Sequence, residues 1–228
     1  MKRAAFILLV LASILPASAE SLRYTINWQS GLSLGEATLR SERVREQGAE
    51  KGREQWDFDL SIDASVPGYA VRDHYHSTAS SDFCSAELEK NYVHGKRKSE
   101  EKDSFDQQKL TVTRQTANGG KSDISVSACA REALTFLQYA RRELAQGRLA
   151  PQQPIVFGAV YQVRFEYTGV QVVRVADEKV SADRIVATLK GPSTDLTFEM
   201  FFARDAARTP VLAKIPLALG TFSVELMK

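Results

Sequence analysis

The sequence has little of what most enzymes use. Of its 228 residues only 2 are cysteine and 3 are histidine. There is no C-x-x-C pair, which leaves dithiol redox catalysis without a motif. There is no glycine-rich phosphate loop and no dinucleotide fingerprint, so nothing supports a nucleotide-dependent reaction or a bound cofactor. No apolar run approaches the roughly 20 residues that a membrane-spanning helix needs. No Pro/Ser-rich linker, low-complexity tract or repeat divides the chain.

What stands at the N-terminus is a short basic start and an apolar run. Lys2 and Arg3 precede Ala4 to Leu15, and Pro16-Ala17-Ser18-Ala19 supplies small residues for cleavage. This pattern predicts a secretory signal peptide over 1–19 and a mature chain that begins at Glu20, exported to the periplasm. No cysteine follows the cleavage site, so a lipid-anchored form is not expected. Loss of Lys2 and Arg3 lowers the 30 basic residues to 28, against 28 acidic ones, and the mature chain is neutral. A nucleic-acid partner is therefore not expected. Lys96-Arg97-Lys98 looks basic, but Glu100, Glu101 and Asp103 follow, which reads as a solvated turn. Residues 20–228 are long enough to bury a core as a single β-rich domain. Oligomeric state is not legible.

Cys84 and Cys129 are the only cysteines, and an oxidising compartment favours pairing them. The bridge would close a loop of about 45 residues and contribute roughly 4 kcal/mol on the chain-entropy model. The alternative is two separate buried thiols.

Period-two alternation dominates the rest. Trp56, Phe58, Leu60, Ile62, Ala64 and Val66 share one face, with Asp57, Asp59, Ser61 and Asp63 between them. The pattern also occurs at Tyr24, Ile26 and Trp28; at Tyr161, Val163, Phe165 and Tyr167; at Leu196, Phe198, Met200 and Phe202; and at Phe222, Val224 and Leu226. One apolar and one polar face per strand points to antiparallel sheet. Turn signals fall between the runs, at Gly48 to Gly52, Pro67-Gly68, Asn118-Gly119-Gly120, Gly191-Pro192 and Gly220. Only the stretch from Ala130 to Ala145 changes period. There Ala133, Leu137, Ala140 and Leu144 recur at helical spacing, with Ser127 as a cap and Gly147 as a stop. The expected fold is mainly β: an antiparallel curled sheet or barrel-like domain with one major helix, about 130–145, docked on it. Cys129 would staple that helix near Cys84.

Three constellations invite a chemical reading. Gly31-Leu32-Ser33-Leu34-Gly35 satisfies G-x-S-x-G, but a nucleophile elbow needs a helix after the serine, and "EATLRSERV" reads as strand. Gly31 and Gly35 better serve a hairpin or bulge between two N-terminal strands. His74 and His76 fall on the same side of a strand. If the next strand pairs about a loop centred near Cys84, His94 lies opposite His74 and completes a weak candidate metal site. A polar, wet strand face explains the same histidines without a metal, and that reading is preferred. The acid pairs Asp57/Asp59, Glu87/Glu89 and Glu100/Glu101 fall mostly on the solvent side of the alternation, so no general acid or base is assigned.

"RDAARTPVLAKIPLALGTFSVEL" resembles the closing signature of the bacterial domain of unknown function 3108 family. Asp205, Arg208, Pro210, Val211, Gly220 and Leu226 stand at its D-x-x-R-x-P, late glycine and final leucine. "CAREALTFLQYARREL" is similar to its mid-chain helix, which ends in an arginine, here Arg141, and "YTINWQSGLSLGEATL" to its opening strand pair. One departure is Cys129, in the region where the family usually has an aspartate. The resemblance implies an exported, mainly β protein of the cell envelope and no activity or catalytic residue.

The sequence therefore predicts a non-enzymatic periplasmic protein that binds or carries an apolar or lipid-like molecule within the curved sheet. Trp28, Trp56, Phe58, Phe165, Phe198 and Phe202 are the candidate ligand-binding residues. Filling of the core is the competing role for these rings. An envelope scaffold or assembly protein acting through its outer surface is the alternative function.

Overall fold

Strands follow wherever the sequence alternates, and they form one sheet. The computed structural model describes residues 19–45, 54–66, 68–192, 195–218 and 220–228. Most of the expected signal peptide, the Gly48 to Gly52 turn and Pro67 lie outside the described residues. The first eight strands are β1 (Glu20–Trp28), β2 (Ser33–Arg45), β3 (Glu54–Val66), β4 (Tyr69–Ser80), β5 (Ser85–His94), β6 (Arg97–Asp106), β7 (Thr111–Thr116) and β8 (Lys121–Ser125). Helix α1 (Ala133–Ala145) comes next, then β9 (Gln153–Val156), β10 (Val160–Val175), β11 (Glu178–Lys190), β12 (Asp195–Ala203), β13 (Pro210–Leu217) and β14 (Gly220–Leu226). Except for β8 and β9, each strand pairs with its neighbour in sequence, and β14 pairs with β1, so the first and last strands lie side by side in mid-sheet. The sheet edges are β8 and β9, and the segment carrying α1 runs from one edge to the other.

Strand twist curls a sheet this wide until its ends meet. Leu88, Phe105 and Val112 of β5–β7 pack in one cluster with Val156 of β9 and, at its margin, Val160 of β10. The ends are joined by a strap, not by a strand ladder, so the sheet is not closed into a barrel. Ala130 accepts a hydrogen bond from the Ser85 backbone, and Arg131 accepts one from Val156, each through its carbonyl oxygen. Cys84 and Cys129, at the start of this strap, form a disulfide.

The helix sits inside the curl and is encased, where the sequence predicts one apolar stripe against a sheet. Leu134 packs with Tyr24, Leu39, Phe58 and Phe83. Phe136 and Ala140 meet Ile155 and Val163, while Leu144 meets Ile185 and Phe202. Thr135, Gln138, Arg141 and Glu143 are buried as well, because strands surround the helix on its polar side too. The Arg141 guanidinium donates to both Glu20 carboxylate oxygens at 2.7 Å and to the Ala207 carbonyl, which ties α1 to β1 and to the β12–β13 turn. The cap is Glu132, not Ser127. Its buried carboxylate accepts hydrogen bonds from the Leu134 and Thr135 backbone at 2.7 Å and from the Ser77 hydroxyl at 2.9 Å. The strap holds 130–131 extended between two strands, so the helix cannot begin earlier.

The two glycines of G-x-S-x-G shape the β1–β2 hairpin. Gly31, at φ 84°, makes the turn. Gly35 lies beside a bulge, and a Cβ there would sit 2.0 Å from the Asp63 carbonyl oxygen. A β-strand, not a helix, follows the exposed Ser33.

Candidate functional site

The helix fills only part of the interior. Around it, Phe58, Phe202 and Ile185 are fully buried. Toward the end of the curl formed by the β1–β2, β3–β4, β5–β6 and β13–β14 turns, the same face continues without a covering element among the described residues. Ile26, Trp28, Ile62, Phe198, Phe222 and Val224 are only half-buried there. Trp28 and Phe222 are cross-strand partners whose rings lie 5.3 Å apart, a tilted pair at the mouth.

Register defines this open half closely. Arg97 pairs with His94, His94 with Val71, Val71 with Ala64, Ala64 with Gly35, and Gly35 with Ile26. The row continues through Val224 and Ala213 to Met200. Cross-strand partners share a face, so one inward row runs from a guanidinium through small and apolar residues to a thioether. At about 4.8 Å per strand, the path from Arg97 to Ile26 is roughly 24 Å along the curl.

The β4–β7 end of that row is polar. A cavity of about 360 Å³ there is lined by Tyr75, Lys90, Tyr92, His94, Arg97, Glu101, Arg114 and Phe157, with Gly158. Buried Lys90 places its ammonium 2.8 Å from Glu101 and 3.1 Å from Asp103. The Asp103 contact is an ion pair without hydrogen-bond geometry. Arg114 grips Glu101 through Nε and Nη2 and donates from Nη1 to the Gly158 carbonyl at 3.1 Å, so the cluster also ties β7 to the β9–β10 turn. Burial alone would raise the Glu101 pKa, but hydrogen bonds and charge from Arg114 and Lys90 outweigh it and hold the carboxyl below its ordinary value. His94 shares Asp73 with the Tyr75 hydroxyl, at 2.9 and 3.0 Å. Burial, and then the Asp73 carboxylate, raises the Tyr75 pKa. The arrangement can orient a polar group.

The sequence places Glu101 and Asp103 on the solvent side, and the structure corrects this for both, while Lys96, Arg97 and Lys98 are exposed as expected. Arg97, Glu101 and Asp103 face inward with Lys90, whereas Glu87, Glu89 and Glu100 face outward as expected. Strand β5 carries polar residues in both registers (Glu87, Glu89 and Asn91 against Lys90, Tyr92 and His94), so alternation there does not choose a face. The histidine arrangement changes for a related reason. His74 and His76 do share the outer face, 2.7 Å from Asp59 and 3.5 Å from Asp57 respectively. His94 pairs with Val71 and faces inward, because a bulge at Thr78/Ala79 sets the β4–β5 register. An odd offset flips every side chain, and the three imidazoles do not converge.

Of the six candidate ligand-binding rings, Phe58 and Phe202 belong to the packed core. Trp56 is stacked on Phe58, 5.9 Å between centroids, and touches Phe83. Phe165 meets Phe136 edge-on at 5.2 Å, under the helix. The helix occupies the space those four face. Trp28 and Phe198 remain in the open half.

With this geometry in hand, comparison with known proteins is direct. The model of the family described as "Protein of unknown function (DUF3108)" matches residues 23–227. The chain belongs to the DUF3108 family. No curated protein matches it. A crystal structure of a β-barrel-like protein of domain of unknown function DUF1849 from Brucella abortus is similar, with a TM-score of 0.59. It is 9% identical, and the match covers 93% of this chain and 96% of that one. At that identity the likeness concerns the fold alone: this DUF3108 chain shares a barrel-like curl with it over nearly its whole length.

Proposed function

We propose that the protein is a non-catalytic binding or carrier protein of the periplasm, which holds an apolar or lipid-like molecule in the open half of its curled sheet. One observation carries the reading: on the inward face past the end of the helix, Val71, Trp28, Phe198 and Phe222 remain half-buried, while Ile26, Val224 and Met200 behind them border the packed core. A concave apolar wall with a few polar groups at one end is the usual composition of a small-molecule site. Export is supported by the basic start, apolar run and small residues of 1–19. No helix among the described residues is long and apolar enough to cross a membrane.

The test is a titration of the protein with the apolar dye 1-N-phenylnaphthylamine. Saturable binding should quench the tryptophan emission contributed by Trp28, and Phe198→Asp should weaken it several-fold while leaving unfolding cooperative. Dye binding that is non-saturable, or unchanged in that variant and in Trp28→Phe, would remove the carrier reading.

A second reading, an envelope scaffold, is favoured by the outer surface. Beyond Val163, β10 has no partner on the side of β9 among the described residues, and Tyr167, Val170 and Val172 are exposed along it. Such an edge can accept another strand. A stable complex in native extracts that survives Phe198→Asp but not Val172→Pro would support the scaffold.

A further inference from the structure

The cations of the polar cavity are unequally used. Lys90 is taken by Glu101 and Asp103, and Arg114 by Glu101 and the Gly158 carbonyl, while the His94 imidazole sits on Asp73. Arg97 lines the same cavity, is exposed, and makes no ion pair among the described residues. Glu101 and Asp103 are engaged by Lys90 and Arg114, and Asp73 by the His94 imidazole, and none of the three pairs with the Arg97 guanidinium. It also begins the inward row whose next members are His94, Val71, Ala64, Gly35 and Ile26.

We propose that the molecule held in the open half is an anionic amphiphile, whose carboxylate or phosphate-type head group is received by Arg97 at the mouth of the polar cavity while its chain lies along the row toward Ile26. This inference rests on the carrier reading and adds the chemical class of the ligand. The cavity of about 360 Å³ suits a head group and not a whole lipid. The roughly 24 Å row matches the reach of a long acyl chain at strand spacing. Arg is suited to this task because its planar fork meets a carboxylate or phosphate with two parallel hydrogen bonds. The Tyr75, Tyr92 and Phe157 rings form the cavity's apolar sides, and Phe157 packs on Tyr75 at 5.5 Å. Glu101 and Asp103 balance Lys90 and Arg114 in the deeper cavity, so Arg97 is the cation left to meet a head group.

Three probes with the same chain length separate the terms: laurate, 1-dodecanol and dodecyltrimethylammonium, each displacing bound 1-N-phenylnaphthylamine at low salt. Laurate should compete at least tenfold more tightly than dodecyltrimethylammonium, with dodecanol between them. Arg97→Gln should bring laurate to the level of dodecanol without moving dodecanol, and Arg97→Lys should recover part of the difference. Raising the salt should erase the laurate advantage in the same direction. Inorganic phosphate, followed calorimetrically, should bind at least a hundredfold more weakly than laurate. A phosphate affinity equal to that of laurate would indicate a free-oxyanion site and overturn the amphiphile. Equal competition by all three probes, unchanged in Arg97→Gln, would overturn the head-group assignment while leaving the carrier reading in place. Failure of dodecanol itself to displace the dye would defeat both.

Discussion

The two halves of the interior are built from the same strands, the same alternation and much the same residue types, yet they end in different states. In the helix half, Phe58, Ile185 and Phe202 are wholly out of solvent, and even Thr135 and Glu132 are fully enclosed. In the open half, Trp28, Phe198 and Phe222 occupy the same face and remain half-buried, and Ile26 and Ile62 behind them border the packed core. The difference is one 13-residue helix, α1, and the strap that delivers it. A sheet of fourteen strands encloses more volume than one helix can fill. Residues that look equivalent in sequence therefore divide into structural and accessible ones according to their distance along the strand from α1.

The largest expected effect tests that division directly. Phe202→Ala removes a ring packed between Leu144 and Ile185 and should cost about 4 kcal/mol, including the cavity it leaves. Phe222→Ala lies on the same face but against solvent, and should cost about 1 kcal/mol. Urea unfolding followed by circular dichroism would report both. Equal losses would mean that the open half is packed by something outside the described residues, and the comparison would break.

Next in size is the staple. Cys84 and Cys129 are 45 residues apart, and their bridge fixes the strap that carries α1 into the curl. Replacing both with serine should lower stability by up to about 4 kcal/mol on the chain-entropy model. The loss should fall on the helix half first. Amide exchange should speed up in Leu134–Leu144 before it does in β1 or β14, whose pairing is independent of the strap. Uniform acceleration across the sheet would show that the two halves unfold as one unit, and would argue against the helix as a separable filling.

Much of this division was legible in the sequence, and the part that was not has a physical cause. Strict alternation from Trp56 to Val66 identified β3, the helical spacing of Ala133, Leu137, Ala140 and Leu144 identified α1, and the two cysteines, read together with the expected export, pointed to the disulfide. Alternation reports which residues share a face; it carries no information on how much of that face another element covers. Trp56 and Trp28 therefore looked alike, although one is stacked against the core and the other lies at the mouth. The inward cluster of Lys90, Glu101 and Asp103 was hidden for a second reason. Its charges neutralise one another across strands β5 and β6, paired about the turn at 95–96, and which face of β5 looks inward depends on a bulge at Thr78/Ala79 in the β4–β5 ladder that no residue type announces.

The smallest expected effect sets one buried carboxyl against the other. Glu101, in the polar wall of the open half, is held below its ordinary pKa; burial opposes this, but Arg114 and Lys90 prevail. Its ionised form is favoured by folding. Its contribution is fully present above the unfolded pKa, near 4.5, and is lost as pH falls through the lower folded value. Glu132, the cap of α1, is raised because burial penalises its charge more than the Leu134, Thr135 and Ser77 hydrogen bonds favour it. Its sign is opposite: stability from this group is complete below pH 4.5 and falls as pH rises through the folded value. Unfolding midpoints measured from acid to neutral pH should therefore diverge between two isosteric variants. Glu101→Gln should lose the most, relative to wild type, at neutral pH and converge on it in acid. Glu132→Gln should be most damaging in acid, where wild type already carries a neutral carboxyl, and least damaging at neutral pH, where the amide removes a buried charge and keeps one acceptor for the helix N-terminus. Parallel pH profiles for the two variants would show that one of these carboxyls is solvated in solution. If that carboxyl is Glu132, the helix half is less dry than its packing indicates.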